Sequence, residues 1–92
     1  MCGNLQVRMD GAIAREFARN EVTVAADGCR RRTLTCTGEF DAILQINGEK
    51  HLRGDAANQN TVTRTLECNE NAQWILRVNP VVVITSIQCD SA

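Results

Sequence analysis

The sequence predicts an all-β fold, an antiparallel immunoglobulin-like β-sandwich of about seven short strands stapled by disulfides. Three observations predict it. Eight Val, six Ile and eight Thr supply a large stock of β-branched side chains, whose stiff χ1 torsion suits pleated sheet better than helix. Apolar residues recur with period two along most of the chain, and turn signals interrupt them roughly every ten residues. Five cysteines, Cys2, Cys29, Cys36, Cys68 and Cys89, stand in only 92 residues, a length whose core is marginal without covalent help.

The elements follow in order. Leu5, Val7 and Met9 alternate with Gln6 and Arg8 as a short half-buried strand. Asp10 to Asn20 is open between two readings. Asp10 can cap a helix with Ile13, Ala14, Phe17 and Ala18 on one side, or the stretch can be an irregular connection. Val22 and Val24 then alternate before an Asp27-Gly28 turn. From Arg32 to Thr37, Leu34 and Cys36 share one face, and Thr33, Thr35 and Thr37 the other. Ala42 to Asn47 is a strand that ends in Asn47-Gly48, a strong hairpin dipeptide. His51 and Leu52 belong to a short returning strand, and residues 54–60 are a polar loop.

Thr61 to Cys68 alternates again, with Val62, Leu66 and Cys68 on one face. Asn69-Glu70-Asn71 is a turn, Trp74 to Val78 a strand, and Asn79-Pro80 a break. Val81 to Cys89 is the last strand, apolar on both faces at its start as a central strand would be. No linker or repeat divides the chain, so residues 1–92 read as one small domain.

Composition limits the functions. A net charge of −1 removes the main electrostatic argument for nucleic acid or an anionic membrane as partner. No apolar run approaches the length of a spanning helix. Phe17, Phe40 and Trp74 are the only aromatic residues, too few for an aromatic cage or base-stacking platform. Neither Cys-x-x-Cys spacing nor a His partner for His51 occurs, so no metal site and no cofactor is expected.

The cysteines are therefore expected to form disulfides, which places the chain in an oxidising, extracellular compartment. Met1 to Asn4 lacks the features of a secretory signal, so the chain is expected to be a mature fragment or a module of a longer precursor. Cys29 and Cys36 would face opposite sides of one continuous strand, which argues against their pairing. Cys29, Cys36, Cys68 and Cys89 are expected to bond among themselves in a connectivity the spacing leaves open. Cys2 is left over, unpaired or bonded to another chain.

The stretches Gly28-Cys29, Thr33-Leu34-Thr35-Cys36-Thr37-Gly38, Thr65-Leu66-Glu67-Cys68-Asn69, Gln73-Trp74 and Val83 to Cys89 together resemble the nematode six-cysteine domain. The resemblance spans residues 28–89. It implies an extracellular module and supplies no chemistry. Five cysteines stand here against the family's six, and the family's pair near the start is represented at most by Cys2.

Few residues invite a sharper function. Arg53-Gly54-Asp55 is an integrin-type adhesion tripeptide in a polar loop, although Gly-Asp is also ordinary turn chemistry. Trp74 reads as a core residue packing on a disulfide rather than an exposed anchor. His51 reads as solvent-facing, and Asn-x-Ser/Thr occurs nowhere. The expectation is a non-catalytic extracellular structural or protein-interaction module, with no enzyme activity. Its partner is another protein, a further module of the same precursor being one candidate. The alternatives are an adhesion ligand acting through residues 53–55, and a thiol-dependent redox protein using Cys2 or Cys29.

Overall fold

Alternation decides which way each strand faces. In a computed structural model, which describes residues 2, 5–26, 28–54, 59–78 and 80–91, the alternating stretches form ten strands. They are β1 (Gln6–Val7), β2 (Ala14–Arg15), β3 (Arg19–Val24), β4 (Arg30–Thr37), β5 (Ala42–Ile46), β6 (Lys50–Arg53), β7 (Thr61–Cys68), β8 (Trp74–Leu76), β9 (Val82–Ile84) and β10 (Ser86–Ser91). One sheet has the order β1-β10-β5-β6, with β2 also on β10, and the other has the order β3-β4-β7-β8-β9. Every pairing is antiparallel except β1 with β10.

The orders β3-β4-β7 and β6-β5-β10 match strands A-B-E and C′-C-F of the immunoglobulin sandwich. The Cys36–Cys89 disulfide joins β4 to β10, where that fold carries its B–F bond. Two features differ. β8 takes strand D's place beside β7 but follows it in the chain, and β1 lies parallel to β10 on the side where strand G would pair.

The core lies between the sheets. Leu34, Cys36, Leu44, Ile46, Val62, Leu66, Ile87 and Cys89 are its fully enclosed side chains, contributed by β4, β5, β7 and β10. Trp74 and Leu5 extend it, with the partly buried Cys2 and Cys68 packed against it. Behind β4 and β7 the threonines meet in facing pairs, Thr33 with Thr65, Thr35 with Thr63 and Thr37 with Thr61. Their β-branched side chains favour the strand while their hydroxyls tolerate water.

Asp10 to Asn20 contains no helix. Among the described residues no strand takes strand G's place beside β10, and residues 10–15 pair there instead, while Ala18 to Asn20 already pair with β4. Arg8 N–H donates to the Ile87 carbonyl at 2.8 Å, and Ser91 N–H donates to the Ile13 carbonyl at 2.9 Å. The Gln88 amide accepts from Asp10 N–H at 3.2 Å and donates to the Asp10 carbonyl at 2.8 Å. Gly11 turns the chain at φ 92°, a conformation that excludes a continuous helix. Gln88 and Asp90 are buried on the outer side of β10 beneath this segment.

The last strand is also two rather than one. Val82–Ile84 pairs with β8 in one sheet, and after Thr85 the chain crosses to become the middle of the other. Asn47 fixes that crossing. Its Oδ1 accepts from Thr85 N–H at 2.7 Å, Thr85 Oγ1 at 3.0 Å and Ser86 N–H at 3.3 Å, while its Nδ2 donates to the Val83 carbonyl at 2.8 Å. Asn47 adopts φ 57° and Gly48 φ 72°, the left-handed pair that a tight hairpin turn requires.

Candidate interaction surface

The two disulfides sit at different depths. Cys36 and Cys89 are fully enclosed between the sheets. Cys2 is bonded to Cys68 at the end of β7, where Cys68 lies directly across from Trp74. This corrects the expectation that Cys2 is left over. Leu5 enters the core and β1 runs beside β10, and together they carry the start of the chain to the end of β7. Cys29, expected in a bond with its neighbours, belongs to neither disulfide. It sits exposed where β3 meets β4, beyond the turn closed by Gly28 N–H on the Ala25 carbonyl. An open cleft of about 390 Å³ lies there, lined by Gly28, Cys29, Arg30, Cys68, Asn69 and Glu70.

Sheet edges are the other surface feature, because an unpaired edge offers a row of backbone donors and acceptors. On one side of its sheet, β10 is covered by β1 and β2. On the other, β6 carries Lys50 and Arg53, charges of the kind that discourage strand addition. In the second sheet, β9 is three residues long. β3 is different: it has six residues, all exposed, and no Pro or Lys.

β3 also leaves part of the inner face uncovered. Asn20, Val22 and Val24 share the face of Leu34 and Arg32, yet Val22 is 48% and Val24 63% exposed. Arg32 lies beside them, its Nε donating to Asn20 Oδ1 at 2.7 Å and its guanidinium 5.8 Å from the centre of the Trp74 ring. Burial pushes the Arg32 pKa down from its ordinary value. On the opposite face of β3, Arg19 and Glu21 form an ion pair at 2.8 Å.

Of the adhesion tripeptide, Arg53 is exposed at the end of β6 and ion-paired with Asp41 at 3.0 Å. Gly54 is half-buried, and Asp55 lies outside the described residues, as do Asp27 and Asn79 of the expected turns. His51 is exposed and shares a hydrogen bond of 3.2 Å with Gln45. Cys2, one of the two candidates for a reactive thiol, is committed to a disulfide. Among the described residues, no group of His, Cys, Asp and Glu could hold a metal ion.

A family model described as the C6 domain matches residues 2–89. The chain belongs to the C6 domain family. The match begins at Cys2, well before the stretches that carried the resemblance, so the segment covering β10 and the Cys2–Cys68 bond belong to this C6 domain. The chain is also similar to the uncharacterized protein R07B1.7 of Caenorhabditis elegans, 36% identical over 67 residues. That similarity covers 70% of this chain and 44% of the relative, so the matched stretch spans less than half of that protein's length. No solved structure matches. Neither the family description nor the relative's name specifies a reaction.

Proposed function

We propose that this C6 domain is a non-catalytic extracellular module that binds other proteins through its open sheet edge and loops. The observation that carries the reading is the pair of long-range disulfides, one through the core and one tying the chain start to β7. Such bonds persist in oxidising compartments, and small secreted domains use them where the core alone is too small. The family membership fits the same reading. Backbone hydrogen bonding at an exposed edge gives affinity, and side chains alternating across it give specificity. The partner is a protein surface or extended segment, another module of the same precursor among the candidates.

The test is expression through a secretory pathway with thiols trapped at harvest. Cross-linked peptides joining Cys2 to Cys68 and Cys36 to Cys89 are expected. A native protein in which all five cysteines carry the alkyl label would overturn the extracellular reading.

A further inference from the structure

We propose that β3 is a self-association edge, on which a second copy of this chain adds its own β3 antiparallel about a two-fold axis at Val22. The proposal rests on the reading of this domain as an interaction module and names its partner.

Backbone geometry selects the residues. Ala25 N–H donates to the Cys29 carbonyl at 2.8 Å, and these two residues continue the register that pairs Arg19 with Thr35 and Val24 with Arg30. Hydrogen-bonded and non-bonded pairs alternate in an antiparallel ladder. Arg19, Glu21 and Thr23 therefore direct their backbone groups toward β4, and Asn20, Val22 and Val24 direct theirs away from the sheet. All three are exposed, and β3 ends its sheet.

Side chains select the partner. With Val22 opposite Val22 of the copy, Asn20 meets Val24, Glu21 meets Thr23 and Arg19 meets Ala25. No like charges face each other directly. Each Glu21 is already balanced by its own Arg19 at 2.8 Å, so the approaching strands carry no net charge. The two valines that the opposite sheet leaves exposed become covered, each by an apolar or small polar side chain. On β6 the equivalent two-fold, between His51 and Leu52, would set Lys50 against Arg53 of the copy, two like charges face to face. The strand is short, which places the contact among small, transient interfaces.

The experiment is sedimentation velocity over a dilution series up to about 1 mM, a range suited to weak interfaces, on wild type, Val22→Asp and Val22→Lys. Wild type is expected to dimerise, with each variant at least about tenfold weaker because like charges then face across the axis. An equimolar mixture of Val22→Asp and Val22→Lys is expected to recover association, because residue 22 of one copy faces residue 22 of the other. A wild type monomeric throughout overturns the proposal. So does a dimer that either variant leaves intact, or a mixture that fails to recover while both variants keep the wild-type fluorescence of Trp74. These outcomes are separate from disulfide mapping, whose failure would remove the extracellular reading instead.

Discussion

The side chain of Asn47 holds both the amide and the hydroxyl of Thr85, at 2.7 and 3.0 Å, across 38 residues of sequence. One amide thereby ties the β5–β6 turn to the point where the chain leaves one sheet for the other. Asn47→Ala removes those bonds, and the donation to Val83 with them, while forcing an alanine into φ 57°. The expected cost is about 2–4 kcal/mol, read from urea unfolding. Asn47→Asp keeps the acceptor but sets a carboxylate oxygen against the Val83 carbonyl, and should cost less than the alanine variant.

The two disulfides should separate on reduction. Cys2 and Cys68 are half-buried at the end of β7, whereas Cys36 and Cys89 have no solvent exposure. A reductant titration followed by alkylation should label Cys2 and Cys68 first. The reverse order would contradict the packing described for both bonds.

Deleting either bond should be costly. The closed loops span 53 and 66 residues, which the chain-entropy model values at about 4 kcal/mol each. Replacing Cys36 and Cys89 by Ala should cost more than replacing Cys2 and Cys68, because it also leaves a void at the centre of the core. Thermal unfolding of the two double variants gives the comparison.

Gly38 has no room for a side chain. A Cβ there would fall inside the contact distance of the Asp41 carbonyl and 2.5 Å from the Cβ of Ser91. Gly38→Ala should destabilise by about 1–3 kcal/mol through displacement of the β4–β5 turn. The same change at Gly28 meets open space and acts only through its φ of 84°.

Gln88 is expected to control the segment that covers β10. Gln88→Ala deletes its bonds to Asp10 and to Asp90. Amide exchange should quicken at Asp10, whose N–H donates to Gln88, while protection in β4 and β7 stays unchanged. Uniform loss of protection would show that the segment does not open independently.

Much of the fold was legible because burial is written in period two. Leu34 and Cys36, Val62 and Leu66, and Leu44 and Ile46 all alternate with polar or half-buried neighbours and all point inward. Trp74 reads correctly as core for the same reason. Residues 10–20 were ambiguous because their apolar spacing fits a helix, and what decides against it is pairing at both ends, residues 10–15 with β10 more than seventy residues away and Ala18 to Asn20 with β4. The break at Thr85 was hidden because Val82, Ile84 and Ile87 are all apolar, and composition does not record a change of sheet.

The bonding surface was less legible. Cys2 precedes any strong strand signal, so spacing gave no reason to bring it to Cys68. The only hint was Leu5 and Val7, which alternate like a strand and do carry the chain start onto the sandwich. The open edge at β3 was invisible for a different reason. Val22 and Val24 look like core by their alternation, and only the order of strands shows that they stand exposed at a sheet edge.

Two internal disulfides hold the sandwich, one through its core and one at the end of β7. Non-reducing peptide mapping of the secreted, thiol-trapped protein reads both bonds at once. Linked peptides Cys2–Cys68 and Cys36–Cys89 are the predicted result, with the inter-sheet link surviving mild reduction. Five alkylated cysteines in a folded protein would be incompatible with both bonds.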